Sequence, residues 1–410
     1  MRRIRDRVAG LDVHRDSVVA CVQLFENGEV RVEKTRFKTT LGGVRALAGW
    51  LADREVTTVA MEATGVYWKP VFYPLEGLFA ELWLCNAQHV KNVPGPKTDM
   101  ADAEWLADVV AHGMVRPSLV PAEPIRAVRE TTRYRKTLVI TRGQEIQRLD
   151  KVLQDAGIKL SSVASTVLSK SGRAMIEALI GGERDPEALA EMALRRMRAK
   201  IPELVEALEG RFRGHHALLC RQIIDHIDFL DRQIGQLDET IIEALRPFEP
   251  AIELLCSIVG WQRRTAEVFF AETGGDMTKF ATAAHLAAWT RLAPANHESA
   301  GKRRSLSQRP GNSWLGRALI EAARAAARTK DTYFAAQYRN IARRRGPNKA
   351  TVAVAHSMVV AAWHILTSGE PYQDPGGDYF QRRRDPQRQT DRLVRQLRDL
   401  GYDVNLKPAA

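Results

Sequence analysis

Hydrophobic residues in the first third of the chain fall into short strand-like runs and longer helix-like segments. Three strand-like runs come first, and short links that contain Arg15-Asp16 and Asn27-Gly28 separate them. Helix-like and strand-like segments then alternate as far as residue 112. The predicted elements are strands at 8–13, 17–24 and 30–37, a helix near 41–52, a strand at 57–62, a helix near 68–79, a strand at 80–85 and a helix over 99–112.

This order of elements predicts a mixed α/β domain over residues 1–122. The links Arg15-Asp16 and Asn27-Gly28 are short enough for hairpins, and Asn-Gly is a favoured hairpin dipeptide. Three antiparallel strands followed by helix, strand, helix, strand and helix form the order of an RNase H-like fold. We therefore expect the N-terminal domain to be RNase H-like, whatever motifs it carries.

The pattern beyond residue 122 is mostly helical. Residues 124–160 are helical and basic, and a seam of apolar residues spaced by four and three follows over 223–241. The seam consists of Ile223, Ile227, Leu230, Ile234, Leu237 and Ile241. It suits a coiled coil between subunits, which we favour slightly, or a long helix packed within one chain against a helix at 136–156.

The predicted organisation is therefore a helical coiled-coil connector at 123–249, a mostly helical C-terminal unit at 250–370 and a basic tail at 371–410. The start of the C-terminal unit, around Gly260 and Trp261, resembles a helix-hairpin-helix turn whose backbone N–H groups could face a phosphate.

Composition excludes several classes of protein. With 410 residues, 45% of them hydrophobic, the chain can build two packed domains. It contains no apolar run of membrane-spanning length, so we expect no membrane partner. The four cysteines are far apart and form no Cys-x-x-Cys pair, which argues against a zinc site and suits a reducing cytoplasm.

Positive charge is concentrated in one block. The net charge is +12, yet residues 1–125 are nearly neutral, with 15 Lys/Arg against 16 Asp/Glu. Residues 300–350 hold 13 Lys/Arg against Glu321 and Asp331 alone. Such a block is typical of nucleic-acid binding, whereas the alternatives are a solvated helix face or a patch for an acidic protein. The predicted nucleic-acid-binding residues are Lys302, Arg303, Arg304, Arg309, Arg343, Arg344, Arg345 and Lys349.

Four carboxylates occupy the positions where an RNase H-like domain would bind metal. Asp12 lies within an apolar strand, Glu62 ends the fourth strand, and Asp99 and Asp102 share one face of the next helix. The first and fourth strands are neighbours in this fold, so these acids would converge and repel one another. Hard divalent cations such as Mg²⁺ or Mn²⁺, two in number, would relieve that repulsion and assist phosphoryl transfer.

Each acid also has a structural explanation. Asp99 could be a helix N-cap, Asp102 a solvated first-turn acid and Glu62 a surface residue at a strand end. Taken together at these positions, however, the four acids favour catalysis. Ser299 is a further candidate, because Lys302, Arg303 and Arg304 would draw a phosphate towards its hydroxyl group. Spacing alone does not separate Ser299 from Ser305 or Ser307, nor a nucleophile from a phosphate-binding serine.

Several segments resemble the insertion-sequence-110 family of transposases. In the first half they are Gly10-Leu-Asp-Val-His14, Met61-Glu-Ala-Thr-Gly-Val-Tyr-Trp68, Asn86-Ala-Gln-His-Val-Lys91 and Gly95-Pro-Lys-Thr-Asp-Met-Ala-Asp-Ala-Glu-Trp-Leu-Ala107. In the second half they are Leu292-Ala-Pro, Ser299-Ala-Gly-Lys302 and Arg309-Pro-Gly-Asn-Ser-Trp-Leu315. The resemblance covers about the whole chain in order.

The resemblance implies a transposase with a RuvC-like domain and a C-terminal transposase domain. Its Asp-Glu-Asp-Asp quartet falls on Asp12, Glu62, Asp99 and Asp102, and its nucleophilic serine on Ser299. It implies DNA strand cleavage and rejoining through a covalent phosphoserine, directed to donor and target DNA by a structured non-coding bridge RNA of the element. It further implies a homo-oligomer, dimer or tetramer, that combines quartet and serine from different subunits and works in the prokaryotic cytoplasm on the nucleoid.

Three other functions fit parts of the sequence. A RuvC-like nuclease would use metal-bound water and would not need Ser299. A non-catalytic nucleic-acid-binding scaffold would not need its four acids. An actin-like sugar kinase could use Gly10-Leu-Asp-Val as a phosphate loop, although no later glycine-rich nucleotide loop is present. Serine and tyrosine recombinases fit less well, since the chain lacks their arrangements of catalytic residues.

Overall fold

The computed structural model describes residues 3–63, 65–86, 99–293, 298–299, 302–303, 312–383 and 386–407, with the backbone alone at 99–101, 298–299, 302–303, 386 and 388–389. The chain divides into two compact units, Met1–Val120 and Pro121–Ala410. The first is a mixed α/β unit, and the second is largely helical.

The first unit contains a five-stranded sheet with strand order β3-β2-β1-β4-β5. Its described elements are β1 (Arg7–Val13), β2 (Ser17–Glu26), β3 (Glu29–Lys38), α1 (Leu41–Ala52), β4 (Thr58–Glu62), α2 (Lys69–Leu75), β5 (Glu81–Cys85) and α3 (Asp99–Ala111). Strands β1, β2 and β3 are antiparallel neighbours, whereas β4 lies parallel to β1 and β5 lies parallel to β4. The predicted mixed α/β order is confirmed.

Local sequence explains the ends of these elements. At the β2–β3 hairpin, Asn27 and Gly28 have φ values of 53° and 88°, the left-handed conformations that a tight hairpin of this dipeptide requires. Helix α2 ends at Leu75, four residues before its predicted end, because Gly77 adopts a φ of 76° that stops the helix. Strand β3 is an edge strand with many charged residues, which discourages pairing with another chain.

Alternating residues of the central strand face two different layers. Leu11 and its neighbours on one side pack with residues of α1 and α2, such as Leu47 and Phe72. Val8 on the other side packs with Leu106 and other residues of α3. Strand β1 is therefore covered on both faces, which explains why its sequence is a continuous apolar run instead of an alternating one.

The second unit begins with a long antiparallel helix pair. Its helices up to residue 245 are α4 (Glu123–Asp155), α5 (Leu160–Val163), α6 (Lys170–Gly181), α7 (Pro186–Glu191), α8 (Ile201–Leu208) and α9 (Gly214–Leu245), with a 3₁₀ helix at Arg195–Lys200. Ion pairs link α4 to α9 at Arg135–Asp238, Arg142–Asp231 and His226–Glu145. As the α4 residue number rises, its partner's number falls, which is the pattern of antiparallel helices.

The apolar seam on α9 is buried within the chain. Ile227, Leu230, Ile234 and Ile241 are all at most 9% exposed, and α9 packs along α4. Within the chain, the seam thus packs against the helix at 136–156 that the sequence offered as a partner, with Ile223 and Leu237 half-buried, and a role of this helix between subunits stays a prediction.

The remaining helices form the C-terminal part of this unit. They are α10 (Glu249–Cys256), α11 (Arg263–Thr273), α12 (Ala283–Trp289), α13 (Ser313–Ala326), α14 (Tyr333–Arg345), α15 (Pro347–Ser368), α16 (Tyr379–Arg382) and α17 (Pro386–Asp399), with short 3₁₀ helices at Arg246–Phe248 and Met277–Lys279. A two-stranded ladder, β6 (Glu298–Ser299) with β7 (Lys302–Arg303), lies between α12 and α13 in the sequence.

Helix α15 is the one described helix whose length and apolar composition would suffice to cross a membrane. Its residues Val354, Ala355, Met358, Val359 and Ala362 are fully buried inside the unit. It packs against α10, α12, α13 and α14, so its apolar composition is accounted for by its position in the core.

Gly260 serves packing between helices. A Cβ atom at this residue would lie 2.7 Å from the Cβ of Ala326 and 2.8 Å from the carbonyl oxygen of Ala322, both on α13. The turn between α10 and α11 is therefore covered by α13 at the glycine itself. The absence of a side chain at Gly260 is therefore explained by packing against α13, and phosphate binding by this turn stays a prediction.

Candidate functional site

Asp12 and Glu62 occupy matching places on two adjacent parallel strands. The register pairs Leu11 of β1 with Met61 of β4, and the two acids are the next residues along each strand. Leu11 and Met61 belong to the core beneath α1 and α2. Since side chains alternate between the faces of a sheet, Asp12 and Glu62 belong to the opposite face, the one that α3 covers.

The other two acids of the quartet lie in the first turn of α3. Asp99 is the first residue of this helix, and its side chain lies outside the described residues. Asp102 is exposed and directly precedes Ala103, which is fully buried against Val19 and Cys21 of β2. The N-terminal turn of α3 is thus held at the sheet face to which the two strand acids belong.

Gly10 allows α3 to approach the sheet this closely. A Cβ atom at Gly10 would lie 2.1 Å from the carbonyl oxygen of Ala103 and 2.6 Å from the backbone nitrogen of Ala107. Both distances are far below any contact that a real side chain makes. The glycine two residues before Asp12 is therefore what permits backbone contact between β1 and α3.

The strand acids are partly buried and already interact with neighbouring groups. The Asp12 side chain is 21% exposed, and its Oδ2 lies 2.9 Å from Nε2 of His14. Burial and, to a smaller extent, the Glu62 carboxylate together raise the pKa of the Cys85 thiol to about 12, because a nearby negative charge disfavours the thiolate. Glu62 and Cys85 are partners in the β4–β5 register. Asp12 and Glu62 therefore lie near the carboxyl ends of two adjacent interior strands, on one face of the sheet.

Ser299 lies on the β6–β7 ladder, where its backbone pairs with that of Lys302. The side chains of Ser299, Lys302 and Arg303 lie outside the described residues, as do Arg304 and Arg309 entirely. The pairing brings the backbone of the serine next to that of a cationic residue, and the role of the serine hydroxyl group stays a prediction.

A buried carboxylate fixes the point where the chain enters α13 after this ladder. Glu272 is 0% exposed and accepts two hydrogen bonds of 2.7 Å from the guanidinium of Arg133. It also accepts a hydrogen bond from the side-chain amide of Asn312, whose oxygen caps the N-terminus of α13 by accepting from the backbone N–H groups of Trp314 and Leu315. The role of Glu272 is not predictable from the sequence, because nothing around it in the chain distinguishes it from a solvated helix acid.

The remaining predicted nucleic-acid-binding residues are solvent-accessible. Arg343, Arg344 and Arg345 form the last turn of α14, and Lys349 follows in the first turn of α15. All four are exposed. Three cations at a helix C-terminus also stabilise the helix dipole, so their position alone does not distinguish binding from capping.

Asp155, His215 and His216 form a further group of possible metal ligands, with their ligand atoms within 4.8 Å of one another. His216 is buried, and its Nδ1 accepts the backbone N–H of Arg213, while its Nε2 lies 3.0 Å from Oδ2 of Asp155. Both ring nitrogens are thus engaged at the start of α9. Hydrogen bonding accounts for the placement of His216 and Asp155, and this group belongs to the second unit, whereas the four acids belong to the first.

Comparison with known proteins assigns both halves of the chain. Residues 9–158 match a family model described as a transposase, of the IS110 type with a DEDD domain, and residues 252–339 match the transposase IS116/IS110/IS902 family. The chain belongs to the IS110 family of transposases. It is therefore the transposase of an insertion sequence.

Two relatives are likewise proteins of insertion elements, and the first of them is named a transposase. The chain is 25% identical over 384 residues to the transposase for insertion sequence element IS1111A of Coxiella burnetii, a match that covers 91% of this chain and 93% of that protein. It is 30% identical over 227 residues to the insertion element IS900 uncharacterized 42 kDa protein of Mycobacterium paratuberculosis, covering 50% of this chain and 54% of that protein. The first match spans both units, so the resemblance is not confined to one domain.

Proposed function

We propose that this transposase cuts and rejoins DNA by phosphoryl transfer at a centre formed by Asp12, Glu62, Asp99 and Asp102. The observation that carries this proposal is the parallel register of β1 and β4, which makes Asp12 and Glu62 neighbours on the sheet face under α3. The first turn of α3 supplies the other two acids.

The proposal includes an RNase H-like, RuvC-like fold for the first unit. It is supported by the strand order β3-β2-β1-β4-β5, with three antiparallel strands followed by two parallel ones. It is also supported by the position of the acids, on the central strand, on its parallel neighbour and on the helix that covers both. For the second unit we keep the division into a connector at 123–249, a catalytic C-terminal domain at 250–370 and a basic tail at 371–410.

The residues present suit two divalent cations, Mg²⁺ or Mn²⁺. Carboxylate oxygens are the donors that these hard ions prefer, and two acids confined beside each other on a partly buried face need positive charge between them. When bound, such ions stabilise the negative charge that develops on the attacking and leaving oxygens. Asp12 and Glu62 would hold them from the sheet, and Asp99 and Asp102 from the helix.

Ser299 is the proposed nucleophile. Its hydroxyl oxygen would attack the scissile phosphorus, forming a phosphoserine bond, while the leaving deoxyribose oxygen takes up a proton. The hydroxyl group of the other DNA strand would then attack the same phosphorus and release the serine. Because each step exchanges one phosphate ester for another, the bond energy is conserved and ATP is not needed.

The proposed partners are donor and target DNA and a structured bridge RNA of the element. Support comes from the exposed arginines at the end of α14 and from the basic residues 302–309 around the serine. We further propose a homo-oligomer, a dimer or tetramer, in which serine and quartet come from different subunits. It would act in the cytoplasm on the nucleoid.

A denaturing gel of the full chain with labelled DNA carrying the element's ends tests this chemistry. We expect a covalent protein–DNA adduct with the native chain and with Ser307→Ala, and its loss in Ser299→Ala. Strand cleavage that persists in Ser299→Ala without an adduct would instead identify a nuclease that uses water. An adduct in Ser299→Ala would move the nucleophile to another residue.

RNA guidance is tested separately by sequencing the RNA that purifies with the chain. Enrichment of one RNA from the element's own non-coding sequence is the expected outcome. Recovery of only a random sample of cellular RNA would contradict guidance while leaving the DNA chemistry intact.

A further inference from the structure

An arginine-lined pocket lies between the end of α14 and the C-terminal helices α16 and α17. Its volume is about 620 Å³, within the range of about 300–1,000 Å³ that ligand pockets occupy. It is lined by Asn340, Arg343 and Arg344 of α14, Tyr379 and Phe380 of α16, Arg383 just after α16, and Arg392 of α17. We call the pocket formed by these seven residues the arginine pocket.

The arginine pocket contains four guanidinium groups and no acidic lining residue. Among the described residues, no carboxylate lies within ion-pair distance of these four arginines. The neighbouring Arg382, by contrast, forms an ion pair of 2.9 Å with Asp378. The fold thus pairs an arginine immediately outside the pocket with a carboxylate, whereas Arg383 inside it donates a hydrogen bond to the Tyr379 hydroxyl group, which leaves its positive charge uncompensated. Four like charges at close range favour an anion between them.

Capping of a helix explains only part of this arrangement. Arg343 and Arg344 lie in the last turn of α14, where the helix dipole favours positive charge. Arg383 and Arg392 come from a segment about 40 residues further along the chain and have no such role for α14. Their convergence on the same pocket therefore requires an explanation other than capping.

Aromatic rings form one wall of the pocket. Phe380 stacks on Tyr333 with centroids 5.4 Å apart and an interplanar angle of 21°, and Tyr379 packs edge-on against both at 5.0 and 5.2 Å. The guanidinium of Arg383 lies over the Tyr379 ring, 5.3 Å from its centroid. Aromatic rings beside cations are what proteins use to bind nucleic-acid strands whose bases are unpaired.

We infer that the arginine pocket binds a single-stranded stretch of nucleic acid, with phosphates on the four arginines and a base against Tyr379 or Phe380. A duplex keeps its bases stacked inside and offers only phosphates, so the aromatic wall favours a single strand. This inference rests on the nucleic-acid partners proposed above and adds a binding site for a single strand. It is independent of the proposed chemistry, because binding here requires neither the four acids nor Ser299. It assigns a function to the tail at 371–410.

The test measures binding by fluorescence anisotropy with three labelled probes. They are a single-stranded RNA of 12 nucleotides, a single-stranded DNA of the same sequence and the matching duplex DNA. The full chain carries Asp12→Asn in every arm to suppress the proposed cleavage, and a denaturing gel of the probes after each measurement checks that they stay intact whatever residues carry out the chemistry. The pocket variant is Arg383→Gln with Arg392→Gln. The matched control is Arg195→Gln with Arg196→Gln, two exposed arginines outside the arginine pocket that remove the same charge.

We expect the pocket variant to bind single strands about tenfold more weakly, and the control pair to bind as the parent does. Loss of two phosphate contacts should also reduce the slope of log affinity against log salt by about 1.4. Tyr379→Leu, checked for folding by circular dichroism, should weaken single-strand binding about fivefold and leave duplex binding unchanged.

Two results would overturn the inference. Equal losses in the pocket variant and the control pair would mean that only overall charge matters. Duplex binding as tight as single-strand binding, with no effect of Tyr379→Leu, would remove the role of the aromatic wall. If the RNA strand binds more tightly than the DNA strand, or the reverse, the tighter strand is the one that the pocket binds. Either outcome supports the inference.

Discussion

The two charged regions of this transposase are built in different ways. The four acids of the first unit are positioned by backbone: a strand register for Asp12 and Glu62, and a helix start for Asp99 and Asp102. The cations of the second unit lie on helix surfaces and are positioned by side chains. Arg133, for example, is held by the buried carboxylate of Glu272.

This difference predicts which substitutions alter chemistry and which alter the fold. A strand acid can lose its charge while the ladder hydrogen bonds that place it stay intact. A buried acid that holds several arginines cannot be removed without leaving those charges unpaired. The following predictions test this contrast, from the largest expected effect to the smallest.

Asp12→Asn should abolish DNA strand transfer and leave the fold unchanged. The amide keeps the shape of the side chain but cannot supply the charge that a divalent cation needs, which corresponds to several kcal/mol and about a thousandfold in rate. Strand transfer on a labelled substrate measures the effect. Asp16→Asn, an equal charge change at a side chain that is 85% exposed in the adjacent turn, is the control and should stay active. Comparable activity in both variants would remove Asp12 from the centre.

Glu272→Ala should destabilise the second unit by about 3 kcal/mol, because it leaves Arg129 and Arg133 without their buried partner. Urea unfolding followed by circular dichroism measures the change. The control is Glu191→Ala, which removes an acid from the exposed pair with Arg198 and should cost less than about 1 kcal/mol. Similar costs for both acids would contradict the structural role of Glu272.

Gly10→Ala should destabilise the first unit by about 2 kcal/mol, since its Cβ would meet the backbone of α3 and push the helix from the sheet. Gly42→Ala is the matched control, because no atom lies within 4 Å of its added Cβ. It should be neutral or stabilise α1 by less than about 1 kcal/mol. An unchanged unfolding midpoint for Gly10→Ala would mean that α3 is not packed as closely as described.

Thiol labelling at pH 8 gives the finest test of the α3 contact. Burial raises the pKa of Cys21 and of Cys85 to about 12, so at pH 8 both stay protonated and should react slowly with a thiol reagent. Gly10→Ala should speed the labelling of both, because both lie on the sheet face covered by α3.

Cys220 is the internal control for this experiment. It is fully buried in the second unit, and burial raises its pKa to about 11. Its labelling should stay slow in Gly10→Ala. Faster labelling of all three cysteines would indicate general unfolding in place of local release of α3.

Local sequence predicted much of the first unit. The left-handed conformation at Asn27-Gly28 follows from a dipeptide that tolerates positive φ, and its prediction is confirmed. The element order up to α3 follows from hydrophobic runs long enough to identify. The predicted end of α2 was wrong by four residues. The helix ends before the turn at Gly77, and a pattern of hydrophobic residues does not reveal such a turn.

Long-range packing was not predictable in the same way. The spacing on α9 requires an apolar partner but does not say whether that partner lies in the same chain, and the structure has α4 there. Glu272 accepts a hydrogen bond from Asn312, which lies 40 positions further along the chain. Asp155 pairs with His216, which lies 61 positions further along. No local pattern encodes such contacts, because they depend on how separate helices meet.

By itself, the sequence determined the mixed α/β order of the first unit, the helical character of the second, the presence of four candidate acids and the family. All of these follow from hydrophobic periods and motifs, which are properties of residues close together in the chain. Tertiary structure alone decided that the register of β1 and β4 makes Asp12 and Glu62 neighbours. It also decided that α3 packs against the backbone of β1 at Gly10, and that arginines from α14 and the tail line one pocket. Each of these depends on contacts between distant segments, whose geometry is fixed by the packing of the whole unit.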